Sequence, residues 1–188
     1  MELVFGINKE ELNSVDYFWI YQNRKISDTP HISNFSKDFK RRDFSYGNQY
    51  KIPDLNVVFT KSEKPLHYVN ILDKQLFLIS EAVKKVFDMY DRTIQYKAFC
   101  TLNNRLGQYN YYYAPIFKKI DCLLPSSYSS LNNHSLEQVI INESKINGFC
   151  ICNVSDSDKE VVIVSLDVIE SILRRGLYDF SYEKVHIG

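Results

Sequence analysis

Six glycines scattered over 188 residues are too few to build a phosphate-cradling loop, which needs glycines clustered where the backbone wraps an anion. HExxH, a nucleophile elbow and the kinase signature set are missing as well, so the common hydrolytic and nucleotide-dependent chemistries have no anchor in the chain. Nor does either sign of charge prevail, since 23 basic residues stand against 23 acidic ones. A nucleic-acid binder draws most of its affinity from neutralising phosphates, and a chain with no basic surplus is not expected to be one. The one dense basic run, KDFKRR at 37–42, is interrupted by Asp38 and followed by Asp43, and reads as a solvated, self-compensated face.

Long apolar runs are also missing. No stretch approaches the roughly 20 residues of a membrane span. The start, MELVFGINKEELNSVDYFWIYQ, carries acids where a secretory signal carries Lys or Arg. The expectation is a cytoplasmic protein, away from membranes, with its four cysteines reduced. With 45% hydrophobic residues the chain can bury a core without disulfide or metal, and its length suits one compact domain.

What the chain does have is a phrase written twice. LFLISEAVKKVF at 76–87 and VVIVSLDVIESI at 161–172 each run from four apolar residues to a serine, then to apolar residues at helical spacing. The first predicts a strand over Leu76–Ile79, an N-cap at Ser80, and a helix with the stripe Ala82, Val83, Val86, Phe87 and Tyr90 that ends near Asp91. A return strand over 93–99 follows, with Ile94, Tyr96 and Ala98 on one side. The second predicts a strand over Val161–Val164, a cap at Ser165, and a stripe of Val168, Ile169, Ile172 and Leu173. Arg174 and Arg175 then suit the negative helix end, Gly176 supplies a left-handed stop, and a return strand covers 178–182. Neither helix is long enough to stand alone, and both are expected on one shared sheet.

Around these units, VDYFWIY at 15–21 and LNVVF at 55–59 read as strands, with Trp19, the only tryptophan, buried. CTLNNRLGQYNYYYAPIF at 100–117 reads as a hairpin turning at Asn103–Gly107. LEQVIIN at 136–142 and GFCICNV at 148–154 read as strands joined by the polar link Glu143–Asn147. The polar break Lys61–Pro65 is the candidate boundary between an N-terminal lobe, residues 1–60, and a core, residues 61–188. The fold class is α+β: a mixed, mostly antiparallel sheet with two packed helices from a duplicated strand-helix-strand unit.

The segments FLISEAVKKVF (77–87), YYYAPIFKKIDCL (111–123), INESKINGFCICNV (141–154) and VIVSLDVIESILRRGLYDFSY (162–182), in this order, resemble the Imm-eleven immunity proteins of bacterial polymorphic toxin systems. The resemblance implies a cytoplasmic, non-enzymatic protein that binds and neutralises a cognate protein toxin, without cofactor and without catalytic residues.

The residues themselves leave two rivals open. One is a small enzyme with an unrecognised cysteine site; the other is a structural or regulatory subunit. Cys150 and Cys152 are two apart on a strand and share a face, yet Cys100 and Cys122 complete no common zinc spacing, so packing is the expected role of all four and no metal is expected. Asp121 beside Cys122 raises a thiol's pKa, the wrong direction for a nucleophile. The candidate partner-binding residues are Tyr109, Tyr111 and Tyr113, an aromatic stripe on one strand face. Tyrosine joins apolar area to a polar tip with few rotors and is enriched where proteins meet. The alternative is that a helix covers this stripe. Self-association is left open by the sequence.

Overall fold

A computed structural model describes residues 15–32, 38–60, 62–127, 138–154 and 160–188. Lys37 of the basic run, residues 136 and 137 of an expected strand, and nearly all of the loop at 155–160 lie outside these. The strands are β1 (Tyr17–Gln22), β2 (Leu55–Phe59), β3 (Ile71–Leu72), β4 (Leu78–Ile79), β5 (Gln95–Asn103), β6 (Gln108–Ile116), β7 (Lys119–Ile120), β8 (Ile140–Ile141), β9 (Ile151–Val154), β10 (Val162–Ser165), β11 (Phe180–Lys184) and β12 (His186–Ile187). Among the described residues three complete α-helices join them: α1 (Glu81–Tyr90), α2 (Glu143–Ile146) and α3 (Leu166–Leu173). The fold is α+β, with mixed and mostly antiparallel sheets.

The two repeated units do not share a sheet, contrary to expectation. β4 lies in a five-stranded sheet ordered β2-β5-β6-β4-β3, and β10 in another ordered β11-β1-β10-β9-β7. In each sheet the unit is a hairpin, a helix and a return strand, with a foreign strand wedged between. β4 and β5 both run antiparallel to β6, which separates them, while β10 and β11 both run antiparallel to β1. What the units share is a core. Val83, Val86 and Phe87 of α1 meet Val168, Ile169 and Ile172 of α3 in one buried cluster with Ile20, Ile79, Val162 and Val164. Each such side chain contributes roughly 1.5–3 kcal/mol of burial before entropy is counted.

Polar bridges fix the seam. Asp179, just before β11, accepts from the backbone N–H (2.9 Å) and the side-chain amide (2.6 Å) of Asn70. Asn70 Oδ1 accepts from the Ser80 hydroxyl at 2.5 Å, and Ser80 Oγ accepts from Val83 N–H, capping α1 as the sequence predicts. Glu160 accepts from the Phe77 N–H at 3.0 Å, and Tyr90 donates to the Asp167 carbonyl across the helix pair at 2.9 Å. Ser165 holds the same N-cap backbone conformation as Ser80 but makes no capping hydrogen bond; its hydroxyl is buried without a partner. The α3 terminus is as expected, with Gly176 at φ +75° and Arg175 donating to the Ser171 carbonyl.

Other expectations shift by a few residues. The run 76–79 forms a strand only at Leu78–Ile79, and the return strand of the first unit begins at Gln95 and reaches Asn103. The link after Asn142 is a helical turn, α2, capped by the Asn142 side chain rather than an open loop. Trp19 is half-buried, with its ring 4.9 Å from that of Tyr21. The described part of residues 1–60 is woven into both sheets: β1 is wedged between β10 and β11, and β2 pairs with β5.

Candidate functional site: an open apolar sheet face

The first sheet, β2-β5-β6-β4-β3, carries its alternation partly inside out. Toward the core it points Phe99, Tyr112 and Val58, but also Asn56, Lys97, Thr101 and Asn103, all buried. The polar members are satisfied there. Asn56 donates to the carbonyls of Pro53 and Ala98, Lys97 reaches Asp54 at 2.7 Å, Thr101 donates to the Asn110 carbonyl, and Asn103 donates to the Ser62 carbonyl. Satisfied in this way, they carry little of the penalty of buried polar groups.

The opposite face is where apolar residues emerge. Strand register sets Leu55 beside Ala98 and Tyr113, Val57 beside Cys100 and Tyr111, and Phe59 beside Leu102 and Tyr109. These three rows on three strands form one grid. Leu55, Val57, Phe59, Tyr109 and Tyr111 are between 49% and 62% exposed, and Ala98, Cys100 and Leu102 are half-buried. An exposed contiguous apolar patch over a partly polar interior is the informative departure from ordinary burial, because scattered surface apolar residues need no explanation and a grid does.

The tyrosine stripe divides between the two readings open to it. Tyr113 passes beneath α1: its ring meets Tyr96 edge-on at 6.4 Å, and the Lys84 ammonium stands 5.7 Å from it. Tyr109 and Tyr111 continue beyond the helix into solvent, their rings edge to face at 6.0 Å. The Tyr111 hydroxyl is raised above its ordinary pKa chiefly by the electrostatic influence of the adjacent Cys100 thiol. Leu55, Val57, Phe59, Cys100 and Leu102 complete the face. The sequence gives only their alternation, and in LNVVF the polar Asn56 faces inward, so the outward direction of the apolar set cannot be read from it.

Each end of the grid carries an ion pair. Asp54, beside Leu55, is 96% exposed and bonds the Lys97 ammonium, itself only 11% exposed; this bond holds the Asp54 carboxyl below its usual range. At the Phe59 end, Arg105 meets Glu63 at 2.7 Å. They border a cleft of about 590 Å3 lined also by Thr60, Ser62, Asn103 and Asn104.

The cysteines do not converge. Cys150 precedes the regular part of β9 and packs at the edge of the α1/α3 core, while Cys152 is buried with Cys122 in a separate cluster under the second sheet, so the shared face expected of the pair is not formed. Burial pushes the Cys122 and Cys152 thiols up, disfavouring the thiolates that nucleophilic attack requires. Among the described residues no three His, Cys, Asp or Glu side chains group to hold a metal ion, and no helix is long and apolar enough to cross a membrane.

In comparison with known proteins, no family model matches the chain, and the search of curated proteins yields no match.

Proposed function

We propose that this is a cytoplasmic, non-enzymatic immunity protein that binds and neutralises a cognate bacterial protein toxin, using the open face of the first sheet. The observation that carries the reading is the inverted alternation of β2 and β5. A sheet that buries Asn56, Thr101 and Asn103 and exposes Val57, Phe59, Tyr109 and Tyr111 places its apolar area where another protein can cover it. Exposed tyrosines with few rotors suit the centre of such a contact, and neutralisation by occlusion requires affinity rather than chemistry. The resemblance of the doubled unit and its flanking segments to Imm-eleven proteins is the reason for proposing a toxin as that partner.

The test is protection. Co-expressed with its cognate toxin, the wild-type protein is expected to restore growth and to co-purify as a stoichiometric complex. Tyr111→Ala paired with Phe59→Ala is expected to fold normally and lose at least about tenfold in affinity. Failure of the wild type to protect overturns the toxin assignment. Full protection by the double variant overturns the assignment of the face.

A further inference from the structure

β2 ends its sheet, and half of its backbone faces outward. Two bonds fix the phase of its parallel ladder: Ala98 N–H donates to the Asp54 carbonyl at 2.8 Å, and Thr60 N–H donates to the Leu102 carbonyl at 2.9 Å. In that phase Asn56 and Val58 turn their backbone groups to β5, while Leu55, Val57 and Phe59 turn theirs to the outer edge. Ile32 bridges Thr60 just past Phe59. The N–H and carbonyl groups of Leu55 and Val57 are left without a partner among the described residues. We infer that an extended segment of the cognate toxin adds to β2 as a further strand of the first sheet, bonding the backbone of Leu55 and Val57. The inference rests on the proposed function for the partner's identity and adds the partner's conformation and the atoms it meets.

Comparison with the other sheet ends singles out β2. A bare edge is a template for another chain, and proteins blunt it with short strands or charged side chains. β3, β7, β8 and β12 have two residues each. β11 has five, but it includes Glu183, which accepts from the Tyr21 hydroxyl, and Lys184, paired with Asp16. β2 reads LNVVF, also five residues, with no charge, no proline and no glycine. Among the described residues it is the edge strand that carries neither safeguard.

Backbone chemistry names the occupant. The ion pairs at the two ends of β2, Asp54 with Lys97 and Glu63 with Arg105, are each neutral, so charge selects no partner. Donors and acceptors repeated along a line, about 6.8 Å from one rung to the next, are matched by another extended backbone. A helix bonds its own groups internally and cannot supply them. A strand laid there also brings every second side chain onto the open face beside Leu55 and Val57, so the small apolar grid is not the whole contact.

The experiment uses the purified full chain, free and in complex with the toxin. Amide exchange at Leu55 and Val57 is expected to be fast in the free chain and slowed at least about tenfold in the complex, while Asn56 and Val58 are protected in both. Val57→Pro removes an outward N–H and sets a ring where the added strand lies, without touching the β5 ladder, a change that edge strands tolerate. It is expected to weaken toxin binding at least about thirtyfold with a melting temperature near that of the wild type, against less than about fivefold for Val57→Ala. A complex that forms with exchange at Leu55 and Val57 unchanged overturns the inference and leaves the toxin reading intact; this measurement decides even where Val57→Pro fails to fold. Equal losses for Val57→Ala and a folded Val57→Pro overturn it as well, because side chains would then carry the contact. Protection that grows with concentration in the free chain assigns the edge to a second copy and overturns it. Failure to form any complex overturns the inference together with the proposed function.

Discussion

The two sheets contain the same unit and treat their outer surfaces in opposite ways. In the sheet around β9 and β10, every residue of both strands is buried. One face lies on the α1/α3 core, and the other is covered by Ile141, Ile146 and Val185, from β8, α2 and the link between β11 and β12. The sheet around β5 and β6 has a core of its own on one face, under Ile32, Phe44 and Ile52, but its other face is covered by α1 only as far as Tyr96 and Tyr113. Beyond that point no described element takes the place of β8 and α2. The difference teaches where to look: the repeated unit is sealed in one copy and open in the other, and it is the open copy to which the proposed function assigns a partner.

Substitutions can break that comparison at several depths. The deepest is the shared core. Phe87→Ala removes a fully buried ring where α1 meets Phe117 and is expected to cost about 3–5 kcal/mol, lowering the denaturant midpoint of both sheets together because they share this cluster. Separate transitions for the two sheets would refute the shared core. Next is the seam. Asp179→Ala leaves the Asn70 N–H and amide without their acceptor and is expected to cost about 1.5–3 kcal/mol in chemical denaturation.

The caps sharpen the comparison further. Ser80→Ala loses a bond from Val83 N–H and one to Asn70, and is expected to cost about 1 kcal/mol. Ser165→Ala loses no capping bond and removes an unpartnered hydroxyl, so its melting temperature is expected to match or exceed that of the wild type. Equal costs at the two serines would erase the asymmetry. The smallest effect is at the edge of the open face. The folded-state pKa of Asp54 is depressed by Lys97, so its contribution is present above the ordinary carboxylate range and is lost as pH falls through the depressed value. Asp54→Asn should therefore melt slightly below wild type at neutral pH, with the gap closing in acid.

Local structure was legible in the chain and partnership was not. Apolar spacing around Val83, Val86 and Phe87 and around Val168, Ile169 and Ile172 located both helices, because a helix stripe is written within a dozen residues. The hairpin at Asn103–Gly107 was legible for the same reason, with Gly107 at φ +62°. The insertion of β6 between β4 and β5, and of β1 between β10 and β11, depends on pairings between residues as far apart as Trp19 and Ile163, and no local pattern records them. The candidate site was half legible. Tyr109 and Tyr111 announced themselves, but whether a helix would cover them depended on where α1 stops. The rest of the face was obscured by Asn56 and Thr101, polar residues that point inward.

The wedging of β1 also sets an order of events. All five strands of the open-faced sheet come from the continuous stretch Leu55 to Ile116, so they can pair as soon as that stretch leaves the ribosome. The sealed sheet cannot. One of its inner strands, β1, is made first and its neighbours β10 and β11 last, so β1 must wait, unpaired, through almost the whole of synthesis. Closing such a long loop is entropically slow, and the nascent chain therefore presents the open sheet face before the body that steadies it is complete.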